Sequence, residues 1–283
     1  MSGGMPRDVA SVPIKQVATR RATGWRLSGR RSTLIFLIGV ASVFTFLALW
    51  TAATELGWVA PVFLPPPRAV LAEATKLLTT GELWTAIGAS SRRVFLGFGL
   101  AALVAIPLGI LMGVWWPAKA MIDPFVSLLR PLPSITWIPL TMLWLGIGEG
   151  QKVAIVFLGS WLYILLATVE ATKQVDPILI RAARNLGAGD IAVMSEVILP
   201  AALPGILAGL KITLAIAWSC VLSAELVAAQ VGLGAIIWQA KDWGNLALVL
   251  VGMICISLTV LVADRIANAV EHLVLPWQRN RRM

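Results

Sequence analysis

Leu34–Thr54 reads LIFLIGVASVFTFLALWTAAT, 21 residues without one charged side chain. A hydrocarbon layer about 30 Å thick is crossed by about 20 helical residues rising about 1.5 Å each. This run therefore reads as a membrane-spanning helix. A secretory signal is the competing reading, but its apolar region would be only about 7–15 residues long. Residues 1–31, just before the run, hold seven Lys/Arg against the single acid Asp8 and are rich in Gly and Ser. Such a segment cannot bury enough apolar surface to order itself, so a disordered basic tail is expected there.

The rest of the chain has the same character. Of its 283 residues 58% are hydrophobic and 13% charged, against about 25% charged in soluble chains. That composition excludes an ordinary water-soluble enzyme. The net charge of +9 would suggest nucleic acid in a soluble protein. Beside charge-free spans it records membrane orientation and contact with anionic lipid instead. Membrane lipid, not nucleic acid, is the expected partner of these charges. Cys220 and Cys255 lie in apolar runs with no CxxC spacing, which points to core thiols and to no metal site.

Six spans emerge, making an all-α polytopic membrane protein. The first occupies 32–56. Residues 57–93 form a linker and an interfacial or external helix, because Pro65, Pro66 and Pro67 forbid a regular helix between the span and a helical segment over Ala69–Leu78. A core at 94–272 holds the other five: Val94–Trp116, Pro131–Gly148, Val153–Val169, Pro200–Ala228 and Asn245–Ala263. Pro131, Pro133 and Pro139 make the third span short and broken at its start, a condition that survives only where protein or a water-filled cavity meets the freed backbone groups. A basic tail, 273–283, ends the chain. Placing the N-terminus inside puts sixteen Lys/Arg in inner segments and six in outer ones, Arg68, Lys76, Arg92, Arg93, Lys152 and Lys241. The bias predicts that both termini face the cytoplasm.

The polar loop at 171–199 is the most structured stretch between spans. Asp176-Pro177 is a helix start, with Asp capping free amides and Pro at the first helical position. Ile178, Leu179, Ala182, Ala183 and Leu186 recur at helical spacing, Arg181 and Arg184 lie away from that face, and Gly187 is placed to end the helix at positive φ. Asp190 is expected to cap a second short helix running to Pro200. The apolar face suits either a groove on another protein or the lipid surface, and periodicity does not choose between them.

No catalytic set is present. The nearest approach to a phosphate loop is Gly146, Gly148, Gly150 and Lys152, where Gln151 precedes the Lys and Val153 stands in place of the hydroxyl residue. Those glycines read as a tight turn. Glu225 is the acid nearest a membrane interior, where an ionisable group is a functional candidate; the alternative is that it caps a helix end at the interface. Lys211, fourteen residues earlier, is about 21 Å away along a helix and is expected to pair with another span or to snorkel. Gly109/Gly113 and Gly205/Gly209 permit close helix crossing, within one subunit rather than between subunits. Trp137 and Trp218 join Glu225 as candidates for a transport path, while His272 is expected to be solvated or lipid-facing.

Arg181-Ala182-Ala183, Gly187, Val197, Leu199 and Pro200 resemble the EAA loop of binding-protein-dependent ABC importer permeases. The spacing fits throughout, with Arg181 standing where the family has Glu and Val197 where it has Ile. Phe63–Pro67, LRPLPSITWIPLTMLWLGIGEGQK over Leu129–Lys152, and AELVAAQVGLGAIIWQA over Ala224–Ala240 resemble the taurine, aliphatic sulfonate and nitrate import group. The resemblance implies a type I importer permease in a bacterial inner membrane, working as a homodimer. Two cytoplasmic ATPase subunits would bind the ATP and Mg, so this chain itself holds no cofactor, and a periplasmic binding protein would deliver a small anion. It further implies that Arg181, Ala182, Ala183, Asn185 and Gly187 grip the ATPase, with Pro200 marking re-entry into the membrane. The alternative is an ion-coupled secondary transporter or channel, and intramembrane acids of the kind it needs are scarce here. A membrane-embedded enzyme is less favoured still, for want of a catalytic set.

Overall fold

Residues 29–276 are described in the computed structural model, and every regular element among them is helical. The basic tails expected at the two ends fall largely outside the described residues. The chain divides into two units, 1–50 and 51–283, each described by itself. The first is built on α1, Gly29–Glu55, whose side chains from Leu34 to Leu49 are all exposed. An apolar helix exposed all round has the surface of a membrane span.

In the second unit α2 (Pro67–Thr80) starts directly on the proline run and stops at Gly81, whose φ of 78° ends the helix. Helix α3 (Glu82–Val114) begins twelve residues before Val94, so Arg92 and Arg93 lie inside it rather than in a loop. Helix α4 (Trp116–Leu129) follows, then a break over 130–133, a 3-10 turn over Ser134–Trp137 and the short α5, Ile138–Leu145. Next come α6 (Glu149–Lys173), α7 (Pro177–Asn185), the single turn α8 (Asp190–Ala192), α9 (Leu199–Ala228), α10 (Leu233–Asp242) and α11 (Leu246–Val274).

The third of the six expected spans is short and broken, as its prolines predict. Among the described residues five helices are long and apolar enough to cross a membrane, and Ser134–Leu145 is a shorter apolar helix. Its length is about 18 Å at about 1.5 Å per residue, well under the hydrocarbon thickness. The prolines are the cause: Pro131 and Pro133 supply no N–H at the break, and Pro139 resets the winding from 3-10 to α. The glycine turn before α6 is also shorter than expected, since Gly146 (φ 70°) makes it but Gly150 already lies in the first turn of α6.

Helix α6 is the centre of the bundle, and glycines bring its neighbours close. A Cβ added at Gly97, Gly109 or Gly113 of α3 would lie 2.6–2.7 Å from Cβ atoms of Val156, Thr168 and Thr172 on α6. From α9, Gly205 and Gly209 meet Ala171 and Ala167 in the same way. Both GxxxG spacings thus pack within the chain. Near the end where α3 and α6 begin and α9 ends, a buried ionic cluster ties the three together. Arg93 donates through Nη1 to Glu225 Oε1 (2.6 Å) and to the Val231 carbonyl (2.7 Å). Its Nε and Nη2 make a two-pronged contact with Glu149 (2.8 and 2.5 Å). The Glu225 side chain is 0% exposed and that of Arg93 4%. Glu225 also accepts from Ser90 Oγ (2.7 and 2.9 Å) and from the Gly234 N–H (2.9 Å). A Cβ at Gly232 (φ 149°) would strike that carboxylate at 2.6 Å, which explains the glycine-x-glycine step before α10. Lys211, as expected, pairs with another span: it donates to Asn268 (3.0 Å) and to Glu271 of α11.

Two stability outcomes are expected. Gly109→Leu overpacks the α3–α6 contact and costs about 1–3 kcal/mol, whereas Gly99→Leu, whose Cβ meets nothing within 4 Å, leaves the thermal midpoint of the detergent-solubilised protein unchanged. Glu225→Gln strands part of the Arg93 charge in the interior; because Arg93 keeps Glu149, the loss is about 3 kcal/mol, the low end for a broken buried pair. Equal midpoints for Glu225→Gln and the native protein would refute the clamp.

Candidate functional site

The residues singled out in the polar loop come together on one compact unit at the end of the bundle opposite the ionic cluster. Asp176 caps α7 as its sequence predicts, its Oδ1 accepting from the Ile178 N–H at 2.8 Å. Pro177 occupies the first helical position. At the other end Gly187 adopts φ 88°. The Ala188 N–H reaches the Ala183 carbonyl (3.1 Å) and the Gly187 N–H the Arg184 carbonyl (3.0 Å). This pair of bonds is a Schellman closure, satisfying carbonyls the helix end would otherwise leave open.

The apolar face of α7 splits. Ile180 and Ala183 pack inward against a core of Ala171, Val175, Val193, Ile198, Ala202 and Ile206. Ile178, Leu179, Ala182 and Leu186 stay exposed, together with Ile191 just beyond the turn; Leu186 is 89% and Ile191 86% exposed. Arg181 and Asn185 are exposed beside them. Arg181 Nε reaches only the Pro177 carbonyl, at a weak 3.4 Å, and Arg184 pairs with Asp190 at 3.2 Å in solvent. Asp190 makes no side-chain cap, contrary to the sequence expectation, because Gly189 holds the N-cap position and Asp190 is already the first residue of α8, its carboxylate on Arg184.

Pro200 lies inside a helix rather than at the start of one. Helix α8, a π-wound segment over Val193–Ile198 and α9 run on without interruption, giving 38 helical residues from Asp190 to Val227. The π turn absorbs Pro200 and its missing N–H, and such turns are frequent at functional sites. The loop that ends α7 is thus joined to α9 by a continuous rod.

The three path candidates are not brought together. Glu225 is held in the ionic cluster. Trp218 is 2% exposed within the core, its indole N–H without a partner among the described residues. Trp137 is half-buried and lines a small cavity beside the break after α4. Ser90 and Arg93, which hold Glu225, and Glu149, which shares Arg93 with it, are not among the residues singled out from the sequence. A signal was present in the adjacent Arg92-Arg93 bordering a charge-free stretch, and in Gly232-Leu233-Gly234 downstream of Glu225.

Comparison with known proteins agrees with this architecture. Residues 105–275 match the family described as binding-protein-dependent transport system inner membrane component. A probable ABC transporter permease of Brucella abortus is 39% identical over 254 residues, covering 89% of this chain and 98% of that protein. The taurine transport system permease TauC of Escherichia coli is 34% identical over 275 residues, covering 94% and 98%. A solved inward-facing structure of the MetNI methionine ABC transporter aligns with a TM-score of 0.52 at 25% identity, covering 68% of this chain and 96% of that one. The chain belongs to the family of binding-protein-dependent transport system inner membrane components, the permeases of ABC transporters.

Proposed function

We propose that this chain is the translocating subunit of an ATP-driven importer for a small anion, with taurine or another aliphatic sulfonate favoured over nitrate. Two copies pair in the inner membrane, two ATPase subunits holding ATP and Mg dock from the cytoplasm, and a periplasmic binding protein supplies the solute. The observation that carries this reading is the exposed apolar side of α7. Ile178, Leu179, Leu186 and Ile191 form an uncovered patch on a short helix closed by Gly187, and the continuous rod into α9 gives any partner seated there a mechanical connection to the membrane interior. A coupling element needs contacts that differ between two states of its partner. A rigid apolar plug can supply such contacts, and Arg181 adds a positive charge at its edge.

The charge distribution supports cytoplasmic termini more strongly once burial is considered. Arg93 and Lys152 are buried and paired with Glu149, so they are not loop charges, and Arg130 lines a cavity within the bundle. Fifteen inner Lys/Arg then stand against four outer ones.

Replacing Leu186 or Ile191 with Glu is expected to cut co-purification of the cognate ATPase at least about tenfold, a loss of about 1.4 kcal/mol, without moving the thermal midpoint of the permease. Gly187→Trp is expected to abolish uptake of labelled taurine by the reconstituted complex, because a side chain there opposes the φ that closes α7. Full ATPase retention in the Glu variants, or taurine uptake driven by a proton gradient in vesicles lacking the ATPase, overturns the reading.

A further inference from the structure

The break after α4, exposed over 130–133, leads into a 3-10 turn whose Ser134 meets the middle of α6. The cavity beside it is lined by Arg130, Ser134 and Trp137 from the broken segment, by Gly159, Trp161 and Tyr163 from α6, and by Cys220 from α9. Gly159 is ten residues from the start of α6 and fourteen from its end, about 15 Å and 21 Å along the helix. The broken segment therefore reaches the middle of a membrane-crossing helix. Gly159 is what lets it approach: a Cβ there would lie 2.3 Å from Cys220 Sγ and 3.0 Å from Ser134 Cβ.

Two features at this depth need an explanation. Backbone freed by Pro131 and Pro133 is tolerated in a membrane only where protein covers it or where it lines a water-filled cavity. Arg130 is exposed and makes no ion pair among the described residues, although an arginine near the bilayer centre costs several kcal/mol unless it is hydrated or paired. The surroundings are those of an anion site. The guanidinium supplies a fixed charge and a planar fork of donors suited to an oxyanion. Ser134 and the protein's single tyrosine, Tyr163, add hydroxyls, Trp137 and Trp161 add indole N–H groups, and no carboxylate lines the cavity to compete. The cavity is small, about 60 Å³.

We infer that this cavity is where the translocated oxyanion is held within the membrane, with Arg130 as its counter-charge and Ser134 and Tyr163 as orienting donors. The inference rests on the importer reading and deepens it by naming residues that meet the solute. It also gives the broken segment a purpose: a continuous helix would carry its own satisfied backbone past this point and leave no place for the charge.

The test reads charge selectivity directly. In a Cys220→Ala, Cys255→Ala background, Tyr163→Cys in the nanodisc-reconstituted complex is labelled with an anionic methanethiosulfonate (the ethylsulfonate) and a cationic one (the ethylammonium). The ratio of the two rates cancels any change in thiol reactivity. It is expected to favour the anion and to fall at least about fivefold on Arg130→Gln, with Arg130→Lys retaining most of it; Trp137→Cys serves where Tyr163→Cys does not assemble. A ratio indifferent to Arg130 at both positions overturns the inference. If the ratio falls as expected but neither taurine, ethanesulfonate nor nitrate slows labelling, the anion site stands and the substrate named above is what fails.

Discussion

The distance at which α3 and α9 lie against α6 is the constraint on which the bundle depends. Lipid tails are as apolar as leucine side chains, so helices in a bilayer gain little from hiding apolar surface and must associate through close packing and polar contacts. Gly97, Gly109 and Gly113 on one side of α6, and Gly205 and Gly209 on the other, supply the close approach. The approach in turn sets where the polar groups fall. Arg93 can reach Glu149 and Glu225 at once only because its helix lies against α6 while α9 closes the third side. The cluster is thus downstream of the glycine packing, and it fixes register where glycines alone would permit sliding along the axis.

Most of the fold was legible in the sequence because the bilayer imposes a length and a charge rule that leave few alternatives. The charge-free runs located the long helices, and the proline run located the start of α2. The failures have a common physical origin. Arg92 and Arg93 were treated as a boundary because charge usually marks the water interface, whereas Arg93 is neutralised by acids far away in the chain and lies inside α3. Pro131–Gly148 is short and broken as its prolines imply, and only the extent of the shortening is invisible to hydropathy, which registers composition alone. Three prolines in nine residues are enough to halve the helix.

The loop around α7 shows the same division between local and distant information. Its caps, Asp176 and Gly187, act on backbone groups within a few residues, so their roles follow from spacing alone. Which side of α7 stays open depends on Val175, Val193 and Ala202, which only the folded chain brings against Ile180 and Ala183. Asp190 does not cap because α8 begins at Asp190 itself, with Gly189 at the N-cap. Trp218 and Trp137 looked equivalent as aromatic residues in spans, yet one is sealed in the core and the other borders a cavity. Side-chain direction within a bundle is set by neighbours that sequence distance does not reveal.

The uninterrupted helix from Asp190 to Val227 has a mechanical advantage that can be estimated. Taking its contact with α6 midway between Gly205 and Gly209 as a fulcrum leaves about 26 Å of arm toward α7 and about 20 Å toward Cys220 at about 1.5 Å per residue. A tilt of about 10° about that point carries the α7 end through ~4 Å and the Cys220 end through ~3 Å in the opposite sense. Pro204, next to the fulcrum, removes one backbone hydrogen bond there, so any bending is concentrated at that place and subtracts from what the far arm receives. A small displacement at the α7 end would therefore be carried, reversed and reduced, toward the middle of α6.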